Sequence, residues 1–548
     1  MADTGGPDMS QPERLARAAK VLAQSGIVGL ENPVTAAQAV RTLIQWGMTP
    51  AAGFVVSALR YPDEPAIVDE KGSLTFKEVD ERTNALARAL ADEGVDPDDS
   101  VAIMCRDHRW FIETAVAVGK IGATALFYNT HFAGPQLKEV TEREDPQVVV
   151  YDEEFAEALG DAAESRKRFV AWRDDDSSDA DGDTSVEELI EQADSSPVDP
   201  PDEPGGITLL TSGSTGTPKG ASRKSPDVIE GVVAMLSQIP LKAREPTMFA
   251  APLFHAWGFL QFNMGLLLSS TYVLRRKFDP EKTLEAIQEN KATALVIVPV
   301  MLHRILDLDD EVRDKYDLSS LRVVASSGGA LSGELAKNWM DAFGDNLYNF
   351  YGSTEVAWAA ISGPGDLRDA PGTAGKPPPG TSIRILDEEK NEVPQGQTGE
   401  VHVGNRMLFE GYTGDDEDES VVDGHMTTGD LGYLDEDGRL FIEGRADDMI
   451  VSGGENVYPE EVEEKLGEHD SVSEAAVIGV EDEEFGERLK AFIVKDGEVS
   501  EDDLKSYVKE NLADYKVPRE VVFVDELPRK PQGKVDKKAL EGSDEEED

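Results

Sequence analysis

Leu210-Thr211-Ser212-Gly213-Ser214-Thr215-Gly216-Thr217-Pro218-Lys219-Gly220 is the stretch on which the reading of this chain turns. A hydrophobic run, Ile207-Thr208-Leu209-Leu210, leads into it. That predicts a buried strand opening onto a loop of small hydroxyl and glycine residues closed by a lysine. Glycines there permit positive φ and let a ligand approach the backbone closely. Successive N–H groups in such a turn form an anion-binding nest. Ser and Thr add hydroxyl donors, and Lys219 adds a mobile point charge. A polyphosphate suits this inventory; a flexible surface loop is the plain alternative. The P-loop pattern of ordinary NTPases does not match. It needs four residues between Gly and Gly-Lys, and a Ser or Thr after the Lys to hold magnesium. Here Lys219 follows Pro218 and precedes Gly220, so any magnesium needs a ligand from elsewhere in the chain.

On the N-terminal side of this loop, strands and helices alternate from residue 62 onward. Ala66-Ile67-Val68 reads as a short strand. Thr75-Phe76-Lys77-Glu78 opens a helix with Thr75 as N-cap and Glu78 at the capping-box position. Val101 to Met104 and Ala123 to Phe127 read as buried strands around a helix from Phe111 to Ile121. A helix from Leu137 to Arg143 then precedes a strand at Val148-Val149-Val150. This spacing predicts a doubly wound α/β layer with largely parallel strands. Residues 11–60 predict two amphipathic helices. One has Leu15, Ala18, Ala19 and Leu22 on a face, the other Val40, Leu43, Ile44 and Gly47. Packing of both faces against the main body is the expectation. Weak peripheral association with a membrane or partner stays open.

On the C-terminal side, buried strands recur at Leu295 to Val298 and Leu321 to Ala325, with a helix from Leu335 to Phe343. Beyond residue 380 short alternating segments, Ser382 to Leu386 and Glu400 to Val403, predict a small antiparallel β region. Residues 459–548 read as a separate α+β unit, with the boundary near Arg445-Ala446-Asp447-Asp448.

At 548 residues the chain calls for two or three domains. Its 109 acidic against 53 basic residues leave a formal net charge of −56. Disorder does not explain that charge, because apolar periodic segments recur through most of the length. An acidic skin on a folded body repels itself at low ionic strength. At about 1 M salt the Debye length falls to about 3 Å and the repulsion is screened. The expectation is a protein of a salt-rich cytoplasm, of the haloarchaeal kind. The same charge argues against nucleic acid as a partner, since phosphate neutralisation needs Lys/Arg clusters. Cys105, the single cysteine, excludes an intrachain disulfide and reads as buried structural sulfur. Met1 to Asp8 lacks the basic and apolar regions of a signal peptide. Apolar stretches such as Ala51 to Leu59 are about half of what spans a bilayer, so a cytoplasmic protein without stable membrane insertion is expected.

Five further clusters place polar or glycine residues where a scaffold alone does not need them. In Pro252-Leu253-Phe254-His255-Ala256-Trp257-Gly258-Phe259, His255 and Trp257 read as the wall of an apolar pocket with a polar group at its mouth; a satisfied core histidine is the alternative. Ser326-Ser327-Gly328-Gly329-Ala330 follows a strand, where open α/β sheets bind ligands and a flat base can lie on glycine backbone. Tyr351-Gly352-Ser353-Thr354-Glu355 offers a ring to stack on a base and a carboxylate for the missing magnesium. Asp430, after Gly429, suits two ribose hydroxyls, and Arg445 suits ribose and phosphate. Pro531-Gln532-Gly533-Lys534 places a lysine near the end of the last unit, where an exposed surface lysine is the alternative.

In this order and spacing the clusters resemble the adenylate-forming (AMP-binding) superfamily of acyl-CoA synthetases, peptide-synthetase adenylation domains and luciferases, over residues 60–540. The Thr211–Gly220 loop and Tyr-Gly-Ser-Thr-Glu are its most specific signatures. Gly444-Arg445-Ala446-Asp447-Asp448, followed by Gly453-Gly454-Glu455, fits the family's domain junction. The resemblance implies an α/β fold. A large adenylate-forming domain (61–445) of doubly wound sheets plus a small β region would follow an N-terminal helical extension (1–60). A small mobile α+β domain (446–540) and an acidic tail (541–548) would complete the chain. It also implies two half-reactions with ATP, Mg2+ and CoA. Carboxylate attack on the α-phosphate gives an acyl-adenylate and pyrophosphate; CoA thiolate attack on the acyl carbon then releases AMP.

Carried onto this chain, the resemblance assigns the β- and γ-phosphates to Thr211, Ser212, Gly213, Ser214, Thr215, Gly216 and Lys219. It assigns adenine to Gly328, Gly329, Ala330, Tyr351 and Gly352, and ribose to Asp430 with Arg445 beside it. Thr354 would contact the α-phosphate, Glu355 would hold magnesium, and Lys534 would reach the reacting oxygens from the small domain. Asp447 matches the hinge. After rotation Gly453, Gly454 and Glu455 would face the CoA side. Amino-acid-activating relatives carry an Asp in the segment equivalent to 254–257, and Phe254-His255-Ala256-Trp257 has none. The resemblance therefore favours an apolar carboxylate, a medium- or long-chain fatty acid. An acyl-AMP ligase loading an acyl carrier protein and a non-catalytic nucleotide-binding regulator are the alternatives.

The acidic surface yields the first prediction. Circular dichroism across a KCl series should show folding strengthening as salt rises toward the molar range; full folding in dilute buffer would contradict it.

Overall fold

Parallel strands with apolar residues on both faces build the body of the protein. A computed structural model describes residues 11–28, 32–163, 165–174, 182–211, 219–220, 228–353, 356–387, 389–405, 421–446, 449–482, 484–528, 535 and 537–541. One sheet runs in the order Lys167–Val170, Val148–Tyr151, Ser100–Met104, Thr124–Phe127, Ile207–Thr211 and Lys219–Gly220. All but the last of these are parallel to their neighbours. A second sheet of eight strands runs Ala360–Ser362, Leu347–Tyr351, Val323–Ser326, Ala294–Ile297, Pro246–Phe249, Thr271–Leu274, Pro65–Asp69 and Gly72–Thr75. Its interior is parallel and its two edge pairs are antiparallel. Ala294–Ile297 and Val323–Ser326 are buried along their whole length, as strands covered on both faces require. Thr75 caps its helix with the reciprocal Glu78 bonds that the sequence predicts.

The apolar core that includes Phe111 and Phe127 on the first sheet's side and Phe249, Tyr272 and Phe350 on the second joins the two layers. Three consecutive residues add a polar stitch at the same junction. Asp107 accepts a hydrogen bond from the Leu253 N–H at 3.0 Å, from the loop after a strand of the second sheet. His108 Nε2 lies 2.8 Å from Asp152 Oδ1, at the end of a strand of the first. Arg109, opening the helix Arg109–Ile121, gives its N–H, Nε and Nη2 donors to Asp69 at the end of Pro65–Asp69. Cys105 is buried beside this stitch, and burial pushes its thiol pKa well up, which fits a structural sulfur.

Ser382–Leu386, Gly399–Gly404, His425–Leu434, Val421–Val422 and Leu440–Arg445 form an antiparallel sheet. A further five-stranded sheet begins at Ile450, centres on Val472–Asp482 and Gly486–Lys495, and packs helices Pro459–Gly467 and Glu501–Asn511 over Val462, Leu466, Leu504 and Val508.

The N-terminal region departs from the sequence expectation. Its described residues hold three helices: α1 (Gln11–Gln24), α2 (Pro33–Trp46) and α3 (Pro50–Arg60). The apolar run Ala51 to Leu59 is the third, started by Thr49 as N-cap and Pro50 at N1. The inward residues of α2 are Ala39, Leu43 and Trp46, while Val40 and Ile44 are 57 % and 78 % exposed. The packed face is rotated by about one residue, roughly 100°, from the one the periodicity suggested.

Asp69 and Arg109 are both buried, so truncating one strands the other's charge. Asp69→Ala should destabilise the protein by about 3–5 kcal/mol in urea unfolding at fixed KCl; a change below about 1 kcal/mol would show the stitch to be dispensable.

Candidate active site

Four neighbouring parallel strands end in a row at one edge of the second sheet, in register at Ile297, Ser326 and Asn349. From their carboxyl ends emerge Pro252 to His255, Val298-Pro299, Ser327 to Ala330, and Tyr351-Gly352. Open α/β sheets bind ligands at this edge. A cavity of about 2680 Å³ lies there, with all four segments in its wall. The strand Ile207–Thr211 also lines it, and Thr211 pairs with Lys219 across the two ends of the signature loop. Ser212, Gly213, Ser214, Thr215 and Gly216 lie outside the described residues, as do Thr354, Glu355, Asp447 and Lys534.

Asp430 is the polar focus of one side of the cavity. Arg445 Nη1 donates to its Oδ1 at 2.8 Å, and the Tyr351 hydroxyl donates to its Oδ2. Asp430 and Arg445 are cross-strand partners on adjacent antiparallel strands, which makes their meeting a matter of register. Gly429 has φ +72°, and a Cβ there would lie 2.5 Å from Arg445 Nη2. Burial raises the Asp430 pKa against the opposing pull of Arg445 and Tyr351, and it pushes the Tyr351 hydroxyl well up. The result is a neutral phenol and a guanidinium on one carboxylate, a set that can accept from sugar hydroxyls and donate to phosphate. Ser353 Oγ, in the same wall, is buried without a hydrogen-bond partner among the described residues, as expected where a ligand supplies one.

The C-terminal unit closes the other side. His255 is the N-cap of helix Ala256–Leu268 but makes no side-chain cap bond. Its Nε2 instead lies 2.7 Å from Glu455 Oε1. Glu455 is drawn upward by burial, yet His255, His131 and Asn129 outweigh this and hold its pKa below the usual carboxylate value. Gly454, at φ +93°, approaches the Ser327–Ala330 turn so closely that a Cβ would meet the Gly328 carbonyl oxygen at 2.8 Å. Gly453, Gly454 and Glu455 thus stand beside Gly328, Gly329, Ala330 and His255 in one wall. Trp257 donates its Nε1–H to the Ile297 carbonyl at 3.1 Å and packs its ring on Phe350.

Sequence reasoning missed the contacts that hold the two units together. His131 Nδ1 pairs with Asp514 at 2.7 Å, Gln136 donates to Glu461 at 3.2 Å, and Arg304 Nε meets Glu484 at 2.8 Å. The signal for Asn129 and His131 was their place just beyond the carboxyl end of a parallel strand, Thr124–Phe127. Asp107 was missed as well. Burial pushes its pKa up to about 7, and its backbone bond holds the turn that leads to His255.

A cavity at the carboxyl edge of a doubly wound sheet, roofed by a small α+β unit, is the architecture of an adenylate-forming enzyme. The AMP-binding enzyme family matches residues 54–413 and the AMP-binding enzyme C-terminal domain matches residues 461–534, and the chain belongs to this family. It is 33 % identical over 485 residues to a feruloyl-CoA synthase of an Amycolatopsis species, covering 86 % of this chain and 94 % of that protein. It is 30 % identical to the fatty acid–[acyl-carrier-protein] ligase ScoC of Streptomyces coeruleorubidus, over 87 % of this chain and 93 % of that one. Among solved structures, the o-succinylbenzoate CoA synthetase MenE of Bacillus subtilis, bound to its product analogue OSB-NCoA, superposes with a TM-score of 0.78 at 26 % identity, covering 89 % of this chain and 98 % of that one.

The His131–Asp514 pair makes docking of the C-terminal unit pH-dependent. Burial lowers the His131 pKa, but Asp514 overrides this and raises it above its ordinary value of about 6.5. A raised histidine pKa stabilises docking fully below the ordinary value and loses that contribution as pH climbs through the raised one. Fluorescence energy transfer between labels on the two units should fall as pH rises past the ordinary histidine value. His131→Ala should flatten that change; an unaltered profile would remove His131 from the explanation.

Proposed function

We propose that this protein is an ATP-dependent acid–thiol ligase. It would activate a medium- or long-chain fatty acid through an acyl-adenylate and pass the acyl group to CoA, in a salt-rich cytoplasm. The observation that carries the reading is the meeting of Asp430, Tyr351 and Arg445 with the Gly453–Glu455 hairpin at the wall of one apolar-sided cavity.

In the first step a carboxylate oxygen bonds to the α-phosphorus, and the bond to the bridging oxygen breaks to release pyrophosphate. Two anions meet, so the protein's task is positioning and charge neutralisation. Asp430 would hold the ribose, with Arg445 reaching from ribose to phosphate, and the Gly328–Ala330 turn and Tyr351 would enclose the base. The loop Thr211 to Lys219 would hold the outer phosphates, Thr354 the α-phosphate, and Lys534 the reacting oxygens. A carboxylate such as Glu355 suits a hard, oxygen-seeking cation, and Mg2+ there would offset phosphate charge. In the second step the CoA sulfur bonds to the acyl carbon and AMP leaves with the electrons of the broken C–O bond. The hairpin contact of Glu455 with His255 supports reading the present arrangement as the one for this second step, with Asp447 as the hinge. The segment Phe254-His255-Ala256-Trp257 carries no acid to meet an amino group, which favours a simple fatty acid over an amino acid. Transfer to a carrier protein instead of CoA is the second reading, favoured by the ScoC relationship.

Carboxylate-dependent pyrophosphate release in high KCl, with CoA or an acyl carrier protein as acceptor, tests both readings; ATP binding without pyrophosphate release would sink them. Lys534→Ala should slow adenylation by about 10²-fold or more, the scale of losing one charge-stabilising donor. Thioester formation from supplied acyl-adenylate should survive, and equal loss of both steps would contradict the role given to Lys534.

A further inference from the structure

The acidic skin of this protein is missing from one segment. Of the 548 residues 109 are acidic, yet none lies between Asn32 and Pro62. From Arg14 to Arg60 the basic residues Arg14, Arg17, Lys20, Arg41 and Arg60 face Glu31 alone, so the segment is net basic in a chain of net charge −56. The same segment carries the exposed apolar side chains. Val28, Val34, Val40, Ile44, Met48 and Leu59 are exposed, and among the described residues the other large apolar side chain so placed is Val421. A single exposed apolar residue is ordinary, but a contiguous set of them marks a surface that something covers.

α2 gathers the set. With Ala39, Leu43 and Trp46 turned inward, Val34, Ala37, Val40 and Ile44 stand at helical spacing on the outward face, and Met48 follows in the turn after the helix. Arg41 is exposed among them, and α2 carries no carboxylate. The helix has 14 residues. It rises about 21 Å, short of the roughly 30 Å of hydrocarbon in a bilayer, so a lipid contact along it lies in the plane of the surface.

We propose that the outward face of α2 docks this protein on the surface of an anionic lipid bilayer. Val34, Val40, Ile44 and Met48 would enter the boundary between headgroups and acyl chains, while Arg41 reaches back to a lipid phosphate. A second copy of the chain fits this face less well. A two-fold contact sets the same residues on both sides, so Arg41 would meet a helix without an acid and lose water for no partner. Lipid phosphate supplies that partner. The net charge of −56 opposes approach to an anionic surface at low salt. At about 1 M salt the Debye length is about 3 Å, which screens the repulsion and leaves the apolar contact in place. Docking should therefore strengthen as KCl rises, whereas a purely basic patch weakens.

The test is flotation of the whole protein with vesicles of phosphatidylglycerol or of phosphatidylcholine, across KCl concentrations at which circular dichroism shows it folded. The wild type should float with phosphatidylglycerol vesicles, and more so as KCl rises. Ile44→Asp, at a position 78 % exposed where folding is not at stake, should bind about tenfold more weakly or worse. Arg41→Gln should lose about fivefold on phosphatidylglycerol, the scale of one cation at an anionic surface, and nothing on phosphatidylcholine. Folded wild-type protein that stays unbound, or Ile44→Asp that binds as the wild type does, overturns the proposal. So does a wild-type dimer that ignores vesicles and is dissociated by Ile44→Asp, because the face then belongs to a second copy.

Discussion

The stitch Asp107-His108-Arg109 is the constraint on which the site depends. Three side chains in a row reach a loop of one sheet, a strand end of the other, and a strand end of the first partner again, through Leu253, Asp152 and Asp69. Each contact is buried, so none can be given up without leaving a polar group in an apolar surround. The apolar core holds the layers together without directional preference. The stitch sets where the turn carrying His255 sits relative to Asn129 and His131. Those residues in turn receive Glu455 and Asp514 from the C-terminal unit.

The two kinds of contact differ, and the difference would suit the domain rotation proposed above. Within the body, contacts are broad and apolar. Between the body and the C-terminal unit, the described contacts at Glu455, Asp514, Glu461 and Glu484 are polar. The exposed pairs among them, His131–Asp514 and Arg304–Glu484, gain little in water. The Gly454 approach to Gly328 adds shape without adhesion. A surface of net charge −56 acts in the same sense, since like charges on two acidic bodies oppose tight docking unless salt screens them.

Much of the fold was legible because its strands announce themselves by composition. Runs such as Val148–Tyr151 and Ala294–Ile297 are apolar throughout, and a parallel strand covered on both faces has no other way to be written. Thr75 and Glu78 declared a helix start through chemistry local to four residues. The N-terminal helices were harder. Val40, Leu43 and Ile44 share a broad apolar arc, and only the packing partner decides that Leu43 and Trp46 face in while Ile44 faces out. An apolar residue beside solvent violates no rule strong enough to be read in advance.

By itself the sequence determined the alternation of strands and helices and the antiparallel region after residue 380, and it offered the groups that an adenylate would need. Those are local properties, carried by periodicity, caps and glycine placement over a few residues. Tertiary structure alone decided which groups meet. Tyr351 and Arg445 reach Asp430 through sheet register, and Glu455 reaches His255 through docking of one unit on another. His131 and Asp514 stand 383 residues apart in the chain. Neither residue type nor spacing encodes such a meeting, because a contact at that separation is set by the summed geometry of every element between.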